Sequence, residues 1–275
     1  MVSEYYQFQV GDFNCISISD GGRDYDPRKL FLPKDGLLEW LDQSRLATDR
    51  LYILYTCLFV DTGRHRVLID MGAGDMASTT GKLVPGIKAA GIDLDSIDTV
   101  IITHAHGDHI GGTLNEAGQP IYGHAKYYIC AKEWDFWMSE DAFTRAPERH
   151  VRLARKNLSV IRERLELVEP ETELVPGIKG IAAPGHTPGH LALSIASQGE
   201  QLIHFSDTAV LPLHLEHPGW ILTYDIDAKA AAESRRTIFD RASKEKALVF
   251  GHHFPPFPNL GYVVKKDEGW LWQPI

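Results

Sequence analysis

Cysteine is scarce in this chain. There are three, Cys15, Cys57 and Cys130, far apart and with no CxxC pair. That excludes a disulfide framework and a thiolate zinc knuckle, and a chain of 275 residues needs no such staple to build a core. All three sit in apolar, strand-like contexts, which points to buried free thiols in a reducing compartment, hence the cytoplasm. Long hydrophobic runs are also missing. No stretch approaches the roughly 18–20 apolar residues of a membrane span, and the opening MVSEYYQFQV has neither the basic nor the apolar part of a secretory leader. Nor is there an excess of positive charge: Lys and Arg number 28 against 37 Asp and Glu, a net charge of −9. A protein whose main partner is a phosphate backbone would be expected to carry the opposite sign, so no nucleic-acid role is expected. The one locally basic stretch, RHVRLARKNLSVIRERL, has Val151, Leu158, Ile161 and Leu165 at helical spacing and reads as an amphipathic helix with a solvated basic face. Repeats, low-complexity tracts and linkers are absent too, so residues 1–275 are expected to form a single domain.

What is present is an alternation of strand pairs and helices. YYQFQVGDFNCISISDGG reads as a hairpin turning at Gly11-Asp12, and YILYTCLFVDTGRHRVLIDMG as two strands around Thr62-Gly63-Arg64. DGLLEWLDQSRL and LVPGIKAAGI read as short helices, DTVIITH as a buried strand, and AKYYICAKEWDFW as a strand running into a helix. The last third offers the strands GIKGIAA, HLALSIAS, QLIHFSD and ALVFGHH. Between the last two lies a helix over AKAAAESRRTIFDRASK, with Asp227 as its N-cap. Strand pairs first and helices later, repeated in two halves, predict an α/β sandwich: two sheets with helices outside.

The chemistry is concentrated in VIITHAHGDHIGG. Four metal-ligand side chains, His104, His106, Asp108 and His109, follow directly on a buried apolar strand. Two histidines two apart leave an extended backbone on the same side, and Gly107 allows a tight turn that aims Asp108 and His109 elsewhere. Two neighbouring sites in one loop become possible. Imidazole and carboxylate without thiolate suit Zn²⁺, with Mn²⁺, Fe²⁺ or Co²⁺ as alternatives. Further candidates stand at other strand ends: His186 in AAPGHTPGH, Asp207 in LIHFSDT, and His252 and His253 in ALVFGHHFPPFP. Each alone reads as a surface histidine or a capping aspartate. Six histidines and two carboxylates at four strand ends are not explained by core packing.

These residues resemble the metallo-β-lactamase superfamily, whose HxHxDH motif stands here as His104-Ala105-His106-Gly107-Asp108-His109. The resemblance extends over roughly residues 53–262 and implies an αββα sandwich with a dinuclear site at one edge. It implies that His104, His106 and His186 hold one divalent ion, that Asp108, His109 and His253 hold the other with His252 as runner-up, and that Asp207 bridges them. Asp70, in VLIDMG, would orient a ligand histidine, and His190 would be structural. Asp108 and Asp207 would be the catalytic carboxylates, with a hydroxide between the ions attacking the substrate and Asp108 carrying a proton to the leaving group.

Within that family, His106 stands where the flavodiiron oxygen reductases have glutamate. The tail GYVVKKDEGWLWQPI reads as strands, whereas glyoxalase II-like thioesterases end in a helical region. The pattern is most similar to the N-acyl-homoserine lactonases and methyl parathion hydrolase. A hydrolase of lactones or related neutral esters is therefore expected, with organophosphate or aryl-ester hydrolysis as the alternative and a phosphotriesterase activity alongside. A non-catalytic metal-binding protein is disfavoured by the complete ligand set. One position departs: the bacterial lactonases have a tyrosine three residues after the bridging aspartate, and here that residue is Val210. His214 and Tyr224 are the candidate replacements. Trp134, Phe136, Trp137, Phe143 and Trp220 are candidate pocket aromatics, LFLPKDG and HLEHPGW candidate lids, and residues 24–50 a candidate homodimer contact.

Overall fold

The computed structural model describes residues 4–32 and 35–275. In the N-terminal half, β1 (Tyr5–Val10), β2 (Phe13–Tyr25), β3 (Leu51–Asp61), β4 (Arg66–Ile69), β5 (Thr99–Ile102), β6 (Lys126–Cys130) and β7 (Leu165–Val168) form one sheet with neighbours in chain order. The first three junctions are antiparallel and the last three parallel. In the C-terminal half, β8 (Glu173–Val175), β9 (Ile178–Ala182), β10 (Leu191–Ser197), β11 (Glu200–His204), β12 (Leu248–Phe250), β13 (Leu260–Lys266) and β14 (Gly269–Pro274) form the second, again in chain order. There only β11 and β12 run parallel, because the helix Ala228–Glu245 makes the crossover between them.

Periodicity explains the layering. Alternate side chains of the inner strands point to opposite faces, and both faces are apolar. Leu58, Val60, Val67, Ile69 and Ile101 of the first sheet meet Ile178, Leu193, Ile195 and Leu202 of the second between the sheets. On the outer face of the first sheet, Leu68, Val100 and Ile102 pack against Leu83 and Ile87 and against Val151, Ala154 and Leu158 of the helix Glu148–Val160. On the outer face of the second, Ile203, Val249 and Val263 pack against Ile238, Phe239 and Ala242. Burying each of these large side chains contributes about 1.5–3 kcal/mol. The expected αββα order holds. Asp227 caps its helix, accepting from the Ala230 amide at 3.0 Å.

Three details differ from expectation. The basic helix ends at Val160, and Leu165 begins β7 instead of continuing the helical stripe. Ile161 and Leu165 are buried all the same, because the edge of the sheet covers them. β8 carries too few residues to show an alternating pattern and is absent from the sequence reading. Finally, the apolar residues of 24–50 are largely consumed internally: Leu30, Phe31, Leu37, Trp40 and Leu41 pack on Val210, Leu211, Leu213 and Leu222. A short ribbon pairs Phe31–Leu32 with Ile221–Leu222 and ties these segments together. The lid expected over residues 30–36 includes residues 33 and 34, which lie outside the described residues.

Candidate metal centre

The C-terminal ends of β4, β5, β11 and β12, and the loop between β9 and β10, meet at one edge of the sandwich. Two buried non-glycine residues there adopt left-handed backbone: Asp70 at φ 60° and Ser206 at φ 48°. Such conformations cost about 1–3 kcal/mol each and persist where the surroundings impose them. After β5 the chain turns through His104 and His106, and the His106 carbonyl accepts from the His109 and Ile110 amides to open a helical turn, Gly107–Ile110. The turn does not require a left-handed glycine at 107: its φ is not positive, and the Met76 methyl that a Cβ would meet at 2.3 Å ends a flexible side chain.

The structure brings all seven expected ligand residues together. His106 Nδ1 lies 2.8 Å from His186 Nε2 and 3.2 Å from His104 Nε2. One Asp207 oxygen, Oδ2, is 3.2 Å from His186 Nε2 and 3.9 Å from His104 Nε2. The other, Oδ1, is 3.2 Å from His109 Nε2 and 3.1 Å from His253 Nε2, which is itself 3.5 Å from Asp108 Oδ2. Donors about 2.0–2.1 Å from a tetrahedral ion stand about 3.3 Å apart, so two clusters sharing Asp207 have the right spacing for two divalent ions. His109 Nε2 and Asp207 Oδ1 are buried without a hydrogen-bond partner among the described residues, as donors meant for a cation would be. His252 comes within 4.8 Å of the second cluster, but its ring stacks on that of His109 at 4.1 Å and 27°. Contact with Asp207 and Asp108 favours His253.

Three of the ligand histidines are held through their other ring nitrogen. Asp70, fully buried, accepts a hydrogen bond from His109 Nδ1 at 2.7 Å and others from the amide and hydroxyl of Thr103, so it fixes both His109 and the start of the motif loop. His253 Nδ1 donates to the Leu54 carbonyl at 2.6 Å. His186 Nδ1 meets Asp225 at 3.0 Å, and Asp225 is paired at 2.8 Å with Arg235, a fully buried arginine. His190 donates from Nδ1 to the Ala183 carbonyl and accepts the Asp207 amide at Nε2, consistent with a structural role. Two groups were not foreseen. One is the Asp225–Arg235 pair. The other is Glu133, fully buried, which accepts from the Ala105 amide, the Trp137 indole, the Thr187 hydroxyl and the Gly189 amide and so ties the motif loop to the His186 loop. The sequence carried no signal for it, since Glu133 stands between Lys132 and Asp135 like an ordinary charge of a helix start.

The electrostatics follow from burial and charge. Burial holds His104 and His106 well below the usual histidine range. For His109 and His186 burial works the same way, but the carboxylates win. Asp207 and Asp70 raise His109, and Asp207 and Asp225 raise His186 to about 9. Burial alone would push Asp207 up; His253 and His109 outweigh it and hold it well below the usual range. Burial takes His190 down to about 3. His104, His106 and Asp207 are thus held in the states a cation binds, whereas at His109 and His186 a cation must displace a proton.

Above the ligands opens a cavity of about 550 Å³. Its walls include Leu30, Ile53, Met76, Leu153, Val210 and Leu222, and among its polar groups are Tyr25, Tyr55, Tyr224, Arg23, Arg149 and His150. None of the five expected aromatics lines it. Phe136 and Trp137 fill the helix–sheet core, and Trp134 lies beneath Arg162. Phe143 sits beneath Arg155, and Trp220 stacks on His217. Of the two expected donors, Tyr224 lines the cavity. His214 does not: it is buried against Phe31 and accepts the Val210 amide. Arg149, His150 and Leu153 come from the first turns of the basic helix, whose cavity-facing side went unread.

A four-layer sandwich with this donor set at its edge defines a metal-centre protein of the metallo-β-lactamase type. The sequence profile of the Metallo-beta-lactamase superfamily matches residues 54–253, and the chain belongs to that superfamily. Among curated relatives, an N-acyl homoserine lactonase of Bacillus sp is 23% identical over 219 residues, 72% of this chain and 80% of the relative. Among solved structures, AidC, described as a dizinc quorum-quenching lactonase in complex with a product, superposes with a TM-score of 0.92 at 27% identity, covering 99% of this chain and 98% of AidC. The hydrolase AbOPH of the beta lactamase superfamily gives 0.91 at 26% identity over 100% and 98%. No helix of the described residues is long and apolar enough to cross a membrane.

Proposed function

We propose that the chain, acting as one unit over residues 1–275, is a dinuclear metal-dependent hydrolase of lactones or related uncharged esters. The observation that carries this reading is Asp207, whose two oxygens face two separate histidine clusters at the foot of a cavity walled by both aliphatic and polar side chains. The similarity to AidC and to the Bacillus lactonase supports it. His104, His106 and His186 would hold one ion and Asp108, His109 and His253 the other, with Asp207 shared; zinc suits this imidazole–carboxylate set. Two such ions, when bound, polarise the scissile oxygen and lower the pKa of a water held between them.

The chain's own residues do the rest. Asp70, the Leu54 carbonyl and Asp225 accept from the outward ring nitrogens and so aim the inward nitrogens of His109, His253 and His186 at the site, where a metal would take the place of a proton. Leu30, Ile53, Leu153 and Leu222 hold an acyl chain and keep bulk water away. Asp108, half-buried on the cavity floor, carries a proton to the leaving alkoxide. Free, buried cysteines support a reducing, cytoplasmic location. The test compares initial rates of the zinc-loaded protein on an acyl-homoserine lactone and an aryl phosphotriester, each repeated after chelation. A chelator-sensitive lactone rate far above the phosphotriester rate is expected. The reverse preference assigns the site to phosphotriesters, and no chelator-sensitive turnover of either removes the assignment.

A further inference from the structure

Hydrolysis of an ester builds negative charge on the carbonyl oxygen, and a neutral hydrogen-bond donor aimed at that oxygen lowers the barrier. The wall that follows Asp207 offers none, because Val210 is the residue that faces the cavity there. The opposite wall does. Tyr25, at the end of β2, and Tyr55, in β3, both line the cavity, with their hydroxyl oxygens 2.5 Å apart. The Tyr55 ring meets that of His253 edge-on at 5.4 Å, so the pair stands beside the Asp108–His109–His253 cluster.

A proton count fixes the direction. Two hydroxyls bring two protons, and only one lies between them. Neither hydroxyl has another hydrogen-bond partner among the described residues. Tyr55 has no exposed surface, while Tyr25 is half-buried. Tyr55 therefore donates to Tyr25, and the Tyr25 proton is left facing the cavity. A hydroxyl that accepts one hydrogen bond is a stronger donor of the next. The Arg23 guanidinium, 5.5 Å from the Tyr25 ring centroid, draws on the ring in the same sense.

We infer that Tyr25 donates a hydrogen bond to the carbonyl oxygen of the substrate, and that Tyr55 is the positioning residue that orients its proton. The inference rests on the ester-hydrolase reading. Tyr25 keeps its proton throughout: water adds across the acyl C–O bond, the acyl group leaves as a carboxylic acid and the alkoxide as an alcohol, and the Tyr25 bond tightens only while the oxygen carries charge. Tyr224 is set apart from this pair, stacked on His150 at 5.8 Å on the His106 side.

The test uses the metal-loaded full chain and its Tyr25→Phe, Tyr55→Phe and double variants, with metal content measured for each. On an acyl-homoserine lactone, Tyr25→Phe is expected to lower kcat about 10²-fold with KM changed less than about threefold, the pattern of an interaction made in the transition state. Tyr55→Phe is expected to lower kcat about tenfold, and the double variant to be no slower than Tyr25→Phe, because Tyr55 works through Tyr25. Calorimetry with an alkylphosphonate monoester, which carries the tetrahedral oxygen without turnover, should show Tyr25→Phe binding about 10-fold or more weaker at unchanged metal content. Wild-type kcat in Tyr25→Phe, a loss confined to KM, or losses that multiply in the double variant would each overturn the inference. Absence of lactone and ester turnover in the wild type overturns the hydrolase reading instead. The phosphonate measurement then decides alone, and equal affinity in wild type and Tyr25→Phe, or no binding by either, counts against Tyr25.

Discussion

Replacing Glu133 with glutamine changes one buried atom and tests whether the metal-binding loops are held together from behind. The carboxylate accepts four hydrogen bonds: at Oε1 from the Ala105 amide (3.0 Å) and the Trp137 indole (2.6 Å), and at Oε2 from the Thr187 hydroxyl (2.6 Å) and the Gly189 amide (3.0 Å). Burial raises the Glu133 pKa, and these donors pull the other way. A glutamine has one carbonyl oxygen, so whichever way it turns, two donors face an NH₂ group. Two charge-assisted bonds at about 1.5–3 kcal/mol each are lost. Allowing for relaxation, Glu133→Gln should destabilise by about 3 kcal/mol, a fall in Tm of about 6–12 °C for a chain of this size. There is little room to adjust, since a Cβ on Gly189 would already lie 2.1 Å from the Glu133 amide nitrogen. Because Ala105 sits between His104 and His106, and Gly189 just beyond His186, metal affinity should fall about 10–100-fold as well. Denaturant unfolding and a competition titration with a chromophoric chelator read the two effects. A Tm within about 2 °C of wild type together with unchanged metal affinity would refute the reasoning.

Arg235→Met should cost about 3 kcal/mol, since it leaves the buried Asp225 carboxylate with His186 as its one remaining cationic partner among the described residues; the denaturant midpoint checks it, and a shift under about 1 kcal/mol contradicts it. Metal affinity should rise with pH between 7 and 9. In the metal-free protein His186 holds its proton up to about pH 9, whereas an unfolded histidine releases it near 6.5. The stabilisation this gives the metal-free fold is thus full below about 6.5 and is lost as pH rises through 9. A metal must displace the same proton, so His186 alone should strengthen binding by up to about tenfold per pH unit as pH rises toward 9, and His109, also raised, adds to the slope. Chelator competition at pH 7, 8 and 9 measures this, and a flat profile would show that His186 is not displaced.

The architecture was legible because hydrophobic periodicity is local. Buried runs such as Val100–Ile102 and the Asp227-capped helix read directly as elements, and a family motif in six consecutive residues tied them to a known sandwich. The ligand set was legible for the same reason: each ligand stands where an apolar strand runs out. What stayed hidden depends on distant pairing. Glu133 is 28 residues from Ala105 and 54 from Thr187, and nothing in AKEWDFW says its carboxylate points back to both loops. Asp225 and Arg235 read as ordinary charges of a loop and a helix. The pocket aromatics were misjudged because proximity in sequence to the ligand loops does not set which face of a helix turns inward; Phe136 and Trp137 turn toward the sheet. Tyr25 and Tyr55 come from β2 and β3, far from every ligand in sequence, and of the cavity tyrosines only Tyr224 was a candidate.

The central claim is that two ions shared through Asp207 are needed for hydrolysis. The most direct measurement titrates chelator-stripped protein with Zn²⁺ and follows lactone hydrolysis against bound metal per chain. Full rate should be reached only at two equivalents, and Asp207→Asn should lose both tight binding and rate. Full rate with one equivalent or none, or an Asp207→Asn variant that binds two ions and turns over like wild type, would contradict the account.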